Sequence, residues 1–361
     1  MKKPLVLLFA LLGLLGQAQE SSLSETLADL KFRNVGPTRG GRVATVAGIE
    51  TSPSEFYMGA SGGGVWKTKD YGQSWRNVSD GFFATGSIGA IRVAKSDPDI
   101  VYVGTGSDGI RSNVIIGKGM YRTNDAGESW SFVGLKDAGQ IGAVEIHPDN
   151  PEICFVAAIG NPFGPNVERG VFKTIDGGQS WKKVLFISDK TGACDLEIHP
   201  TNPAIIYASV WTVDRKPWTI LSGSEEGGVY KSIDGGENWV KLGKGLPKGI
   251  IGKSDLAVCL ADPDCLYVLM EAENGQNGLY FSDDLGDSFV LISDEKSLLD
   301  RPFYYCNVDV DPTNSDVIYV NTTGCHKSTD KGKNWKRLST PHGDNHDMWI
   351  DPLLPARMMV A

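Results

Sequence analysis

Several patterns that would assign this protein to a common functional class are missing from its sequence. Lys and Arg total 35 against 44 Asp and Glu, giving a net charge of −9, and no basic block is present to neutralise phosphates. The six cysteines show no CxxC or Cys/His spacing typical of a zinc site. Beyond the N-terminus, no apolar run is long enough for a membrane span. We therefore expect no nucleic-acid partner and no membrane span in the mature protein.

The N-terminal stretch "MKKPLVLLFALLGLLGQAQE" has two lysines, an apolar run over Pro4–Leu15 and a small, polar end. This is the pattern of a secretory signal peptide. We predict a signal peptide over residues 1–19 and a linker over 20–29. The protein would then be secreted, periplasmic or at the cell surface.

What the sequence has in abundance is glycine, tryptophan and one repeated octapeptide. The octapeptide occurs as "TKDYGQSW", "TNDAGESW", "TIDGGQSW", "SIDGGENW", "SDDLGDSF" and "STDKGKNW". Its aspartates, spaced by about fifty residues, are Asp70, Asp125, Asp176, Asp234, Asp284 and Asp330. A period of this length with short β runs predicts a β-propeller of four-stranded antiparallel blades.

Each repeat places the octapeptide in the hairpin between the third and fourth strands. There an aspartate can accept hydrogen bonds from the turn, and glycine provides the residue with positive φ. Six copies around a ring favour a structural role for these aspartates over a catalytic one. Over residues 30–361 we predict six complete blades and a partial seventh. The strand at 30–37 would close the last blade, and the chain would be cut within blade seven, although a larger or second propeller is equally compatible.

The octapeptide resembles the Asp-box (BNR) repeat of sialidases, xyloglucan hydrolases and sortilin receptors. The stretches "FRNVGPTRGGRVATVAGI", "DRKPWTILSGSEEGGVYKSIDGG" and "GDNHDMWIDP" together resemble exported bacterial sortilin-like repeat proteins, often labelled glycosyl hydrolases. The resemblance implies a propeller that binds a peptide, protein or glycan. Hydrolysis is the alternative, with Asp344, Glu168, Asp214 and Glu271 as available carboxylates, and a non-catalytic scaffold is a third.

Two hydrolase families can be compared residue by residue. The xyloglucan hydrolases carry an acidic residue two positions before a Gly-Gly in the first blade, where this chain has Ser61. An inverting mechanism needs both its carboxylates, so this difference argues against it. The resemblance to sialidases stops at Arg33, which lacks their following motif.

In such blades the octapeptides lie on one face and the long loops on the other, where we expect function. The loops are 104–119, 160–170, 211–228, 294–305 and 340–347. We predict ligand-binding residues among their arginines, aromatics and polar residues: Arg42, Arg111, Arg215, Trp211, Trp218, His342, Asp344 and His346. Arg169, Arg301, Phe303, Tyr304 and Tyr305 lie in the same loops, and arginines that merely cover packed aromatics are the alternative.

The stretch "HGDNHD" is the densest polar cluster in the chain. His342, Asp344 and His346 could hold a divalent cation, and Asp344 with His346 could act in acid–base chemistry. A hydrogen-bonded polar loop is the competing interpretation. No other cofactor is expected, and we predict a monomer.

An alignment of the first strands gives one residue per blade facing the central channel. The aligned residues are Arg42, Gly89, Gly142, Cys194, Ala257, Cys306 and His346. Small residues are expected in a crowded channel, so Arg42 and His346 stand out and should meet at its mouth. Cys259 and Cys265 flank one turn and would form either a disulfide or two buried thiols.

Overall fold

The computed structural model describes residues 41–361, which form β-strands and one short 3-10 helix at Lys296–Leu298. The predicted signal peptide (1–19), linker (20–29) and closing strand (30–37) therefore lie outside the described residues. The first three sheets are β1 (Val43–Ile49), β2 (Ser52–Ala60), β3 (Gly64–Thr68) and β4 (Arg76–Asn77); β5 (Ile88–Val93), β6 (Val101–Thr105), β7 (Met120–Thr123) and β8 (Ser131–Phe132); and β9 (Gln140–Ile146), β10 (Cys154–Gly160), β11 (Gly170–Thr174) and β12 (Lys182–Leu185).

The remaining strands repeat this plan. They are β13 (Thr191–Ile198), β14 (Ile206–Lys216), β15 (Thr219–Ser222), β16 (Gly228–Ser232) and β17 (Val240–Lys241); β18 (Ile251–Val258), β19 (Leu266–Ala272), β20 (Gly278–Ser282) and β21 (Val290–Ser293); β22 (Asn307–Asp311), β23 (Asn314–Asn321), β24 (Cys325–Ser328) and β25 (Lys336–Leu338); and the pair β26 (Met348–Ile350) and β27 (Met358–Val360). In the fourth sheet, β15 pairs with an extension of β14 and makes a projecting hairpin.

Apart from the pair β26–β27, the strands form six antiparallel sheets, each ordered first to fourth strand, with the fourth sheet carrying the extra hairpin. The first strand of each sheet contacts the first strand of the next, as in β1 with β5 and β18 with β22. Adjacent sheets bury aliphatic and aromatic side chains between them, as where Tyr121 and Trp130 of blade two pack on Val65 and Val78 of blade one. The all-β, six-bladed propeller predicted from the repeats is confirmed.

Aspartates in the first strands connect neighbouring blades. The Asp195 carboxylate accepts the Leu256 amide of the next blade at 2.8 Å, and Asp255 accepts the Val308 amide at 2.7 Å. The Asp347 carboxylate accepts the Val46 amide of blade one at 2.9 Å. The segment that leads into β26 is thus joined to blade one by the same kind of aspartate-to-amide hydrogen bond that joins blade four to blade five.

The two-stranded sheet β26–β27 also packs against blade six, where Met348 contacts Tyr319 and Cys325. On its other side the Trp349 ring lies 5.7 Å from the Phe56 ring of blade one. These contacts place the sheet between blades six and one. The partial seventh blade itself stays a prediction, because two strands do not make a four-stranded blade.

All six octapeptide aspartates bind their own turns in the same way. In blade four, Asp234 accepts the Ser232 hydroxyl at 2.8 Å, the Asn238 amide at 2.9 Å and the Asn238 side chain at 2.7 Å. Hydrogen bonds from the side chain four residues on, such as Ser74 for Asp70, lower the pKa of each of these aspartates to about 2. Such carboxylates stay ionised at neutral pH and cannot act as general acids.

The alignment of first strands was wrong in two blades. The β18 strand ends at the pair Val258–Leu266, so the residue four positions earlier is Ser254 and not Ala257. In blade one the last regular pair is Gly48–Phe56, followed by a register shift, which puts Ala44 rather than Arg42 at the aligned position. Aliphatic residues were a poor marker of the strand ends. The turn after β18 itself contains Leu260, and the last regular pair of β1 falls on Gly48 rather than on an aliphatic residue.

The six cysteines are all buried and free. The Cys265 thiol donates to the Asp262 carboxylate at 2.9 Å, and the Cys259 thiol donates to the Asp311 carbonyl at 3.4 Å. Of the two alternatives for this pair, the structure therefore has buried thiols. Among residues 41–361, no helix is long and apolar enough to cross a bilayer.

Candidate functional site

Two adjacent tyrosines form the centre of the loop-rich face. Tyr304 and Tyr305 follow the 3-10 helix, and both amides bond to the Arg301 carbonyl in a tight turn. Each tyrosine is only 1% exposed, and the two rings lie 4.3 Å apart. The loop before β22 thus holds a rigid aromatic pair beneath the surface.

Three arginines from different parts of the chain surround the Tyr304 ring. Their guanidinium carbons lie 5.2 Å (Arg42), 4.9 Å (Arg111) and 5.3 Å (Arg301) from the ring centroid. Each distance is within the range of a cation–π interaction. We call Arg42, Arg111, Arg301, Tyr304 and Tyr305 the arginine–tyrosine cluster. Arg42 comes just before β1, Arg111 from the loop of blade two and Arg301 from the loop before blade six.

The polar segment "HGDNHD" borders this cluster. Asp344, in a left-handed conformation (φ 63°), accepts a hydrogen bond from the Tyr305 hydroxyl. The His346 ring lies 4.8 Å from the Tyr304 ring and 5.2 Å from the Tyr305 ring. Burial lowers the pKa of His346 to about 4, so its imidazole is neutral at pH 7. Its Nε2 atom is buried without a hydrogen-bond partner among the described residues.

The loop of blade two, which carries Arg111, is anchored across the channel. The Ile110 side chain is fully buried in a cluster with Trp211, and its amide donates to the Phe303 carbonyl at 3.3 Å. The Asp108 carboxylate lies 2.5 Å from the Nζ of Lys253 in blade five. Lys253 is 1% exposed. Burial alone would lower the pKa of Lys253, but Asp108 and the neighbouring Cys306 and Cys194 together raise it, and the net shift is upward. This buried ion pair holds the loop in position.

A small pocket opens beside the cluster. Its lining is mainly polar and includes Arg42, Ser61, Ser87, Ser107, Asn113, Gln140, Tyr304 and His346. Arg42 and His346 therefore meet at the channel mouth, although through a different register from the one used to select them. Ser61 donates its amide to the Arg42 carbonyl at 2.9 Å.

The other predicted ligand-binding residues lie outside this cluster. The Trp211 side chain is fully buried and bonds to Ser222, so we leave it out of the ligand site. Trp218 is 82% exposed at the tip of the β14–β15 hairpin, which also carries Arg215. His342 is exposed and its ring nitrogen bonds to the Gly343 carbonyl. Arg169 is buried and donates to the Ile159 carbonyl at 2.6 Å.

Three of the four carboxylates considered for hydrolysis are bonded to other side chains. Glu271 accepts from Ser222 at 2.9 Å, and Asp214 pairs with Lys216 at 2.9 Å. Asp344 is bonded to Tyr305, while Glu168 is half-buried in its loop. In the part of the chain that the structure describes, no group of three or more His, Cys, Asp and Glu is arranged to hold a metal ion.

Sequence reasoning missed the acidic lining of the channel. Its carboxylates are Glu145, Asp195, Glu197, Asp255, Asp309 and Asp347, and Arg92 pairs with Glu145. Burial raises the pKa of Asp195 to about 7, that of Glu197 to about 8 and that of Asp347 to about 6. The repeated acid in "VEIHP", "LEIHP" and "VDVDP" was the signal that could have revealed part of this lining.

Comparison with known proteins supports the propeller assignment. The family model described as "Sortilin, neurotensin receptor 3" matches residues 118–277. The "Xyloglucanase Xgh74A" of Acetivibrio thermocellus is 25% identical over 88% of this chain and 41% of its own length. The chain is a propeller related to xyloglucanases and to sortilin-like domains. It spans about two fifths of the length of the curated relatives it matches.

Two solved structures show the same fold. The Niastella koreensis GH74 enzyme superposes with a TM-score of 0.62 at 18% identity, over 89% of this chain and 51% of that chain. The structure titled "YCF48 bound to D1 peptide" superposes with a TM-score of 0.57 at 12% identity, over 89% and 90% of the two chains. Similarity at this level concerns the fold alone, so the function has to be argued from the site.

Proposed function

We propose that this protein is an exported propeller that binds a glycan or peptide ligand on its loop-rich face. The observation that carries the proposal is the arginine–tyrosine cluster. Three half-buried arginines surround one buried ring, and one of them, Arg42, also lines the polar pocket beside it. Guanidinium groups bind oxygen ligands through planar pairs of N–H groups. The xyloglucanase relatives support a glycan ligand, and the match to the sortilin family model supports a peptide.

Binding is tested with the full chain on immobilised plant and bacterial polysaccharides and on a peptide library. Arg42→Ala should weaken retention of the ligand at least tenfold. The matched control is Arg76→Ala, because Arg76 is an exposed arginine of β4 that pairs with Glu128. Equal binding by the two variants would place the ligand elsewhere.

A glycoside hydrolase is the second candidate, favoured by the xyloglucanase relatives. The mechanism needs two suitably spaced carboxylates, and Ser61 stands where the related hydrolases are expected to carry one. Release of reducing ends from the same polysaccharides, abolished by Asp344→Asn, would establish hydrolysis and replace our preference for binding. Binding without release would favour the first proposal.

A further inference from the structure

We propose that the arginine–tyrosine cluster is an oxyanion subsite that selects acidic glycans, binding the carboxylate of a uronic acid unit. This inference rests on the proposed function and specifies its ligand class. Its basis is the charge, the hydrogen-bonding capacity and the surroundings of Arg42, Arg111 and Arg301.

The three guanidiniums concentrate positive charge in an acidic protein. All three lie within 5.3 Å of the same ring centroid, although the whole chain carries a net charge of −9. None of them forms an ion pair with a carboxylate within residues 41–361. Asp344, the carboxylate beside them, is already bonded to the Tyr305 hydroxyl. The charge of Asp344 acts on Arg111, whereas Arg42 and Arg301 have no carboxylate partner among the described residues, so a bound anion would supply one.

The arginines also keep donors free for a ligand. Arg111 donates to the Tyr304 hydroxyl at 3.4 Å and Arg301 to the Tyr305 hydroxyl at 3.5 Å, both of which are long hydrogen bonds. The hydrogen bond to Tyr304 raises the pKa of Arg111, which keeps that group charged. Each guanidinium has five N–H donors, and pairs of parallel donors match the two oxygens of a carboxylate.

The pocket beside the cluster is about the size of one bound water, so it can receive a single hydroxyl group of a sugar whose ring lies outside it. Its serines (Ser61, Ser87 and Ser107) both donate and accept hydrogen bonds, and Asn113 and Gln140 add amide groups. The neutral His346 ring contributes a buried Nε2 atom that lacks a partner among the described residues, and when Nδ1 carries the hydrogen this atom can accept a hydrogen bond from a hydroxyl group. This lining offers hydrogen-bond partners to a sugar hydroxyl and gives an apolar peptide side chain little to pack against.

The test uses isothermal titration calorimetry with the full chain and oligomers of galacturonate, mannuronate and glucuronate. The methyl esters of the same oligomers and a xyloglucan oligosaccharide are the neutral probes. We expect at least one acidic oligomer to bind and its methyl ester to bind at least tenfold more weakly. Raising the salt concentration should weaken only the acidic probe.

Variants locate the subsite. Arg42→Gln and Arg301→Gln should each weaken binding of the acidic oligomer about tenfold or more. Arg42→Lys should keep part of the affinity, because lysine retains the positive charge but lacks the paired N–H donors of the guanidinium. Arg76→Gln, which removes an exposed arginine elsewhere, should bind like the unmodified protein. Unfolding curves for each variant separate lost binding from lost folding.

Each outcome bears on one of the two proposals. Equal affinity for the acid, its ester and the neutral oligosaccharide would overturn the acidic-glycan inference while leaving glycan binding intact. Binding of peptides alone would also overturn it. Failure of every glycan and peptide to bind would overturn the proposed function as well.

Discussion

The contact between the terminal two-stranded sheet and blade one can be tested through Arg357. Its Nε lies 2.6 Å from the Asp351 carboxylate, and the side chains of the pair are 11% and 3% exposed. The guanidinium also donates to the Pro53 carbonyl at 3.0 Å and the Ile49 carbonyl at 3.3 Å. Arg357→Met would remove these links between β26–β27 and blade one while keeping the apolar stem.

The expected magnitude follows from the burial of the pair. Removing one partner of a buried ion pair leaves the other charge uncompensated and costs about 3–5 kcal/mol. Asp351 keeps only the Leu353 amide, at 2.9 Å, as a donor. The double variant Arg357→Met with Asp351→Asn should be less destabilised than the single one, because no unpaired charge remains.

Urea unfolding followed by tryptophan fluorescence measures the effect. The control is Arg76→Met, whose partner Glu128 is 54% exposed and whose loss should cost less than about 1 kcal/mol. If Arg357→Met lost no more free energy of unfolding than Arg76→Met, neither the buried Asp351–Arg357 pair nor the contacts of Arg357 with blade one would stabilise the fold.

Three further changes test the channel and the turns. The folded pKa of Asp195, about 7, lies above its unfolded value, so the stability it contributes at low pH is lost as the pH rises from about 4 to about 7. The free energy of unfolding of Asp195→Asn, measured with urea relative to the unmodified protein, should therefore be up to about 3 kcal/mol higher at pH 8 than at pH 5. The same relative stability at both pH values would contradict this. Asp176→Ala should lower the Tm measured by calorimetry without changing ligand binding, since it removes the turn bonds to Thr174 and Ser180. Gly89→Ala places a Cβ 2.0 Å from the Ile141 carbonyl oxygen and should cost more than about 2 kcal/mol, whereas Gly62→Ala meets nothing closer than 3.5 Å and should cost less.

The repeat makes the fold predictable from the amino-acid sequence. Six octapeptides at a period of about fifty fix the number of complete blades, because each turn needs its own aspartate and glycine. The same logic located the loop-rich face and drew attention to Arg111, Asp344 and His346, whereas Arg42 was selected through a register that the structure corrects. These residues do come together, although they are separated by up to about 300 positions in the chain.

Sequence patterns failed where burial decided the role of a residue. Trp211 and Arg169 have the sequence context of loop residues available to a ligand, but both are buried. The blade-two loop packs on Trp211 through Ile110, and Arg169 donates to carbonyls of its own loop and of the strand before it. The Asp108–Lys253 pair joins residues of blades two and five, and nothing local in either strand or loop indicates that contact.

Local interactions, repeated six times, follow from the amino-acid sequence alone: strands of alternating character, turns bonded by an aspartate, and a ring of blades. Which loops meet over the channel, and how deeply each side chain lies, depends on the tertiary structure. Three arginines around Tyr304 become a single charged surface only when blades one, two and six are brought together. That arrangement requires packing between distant segments, which no short stretch of the chain encodes.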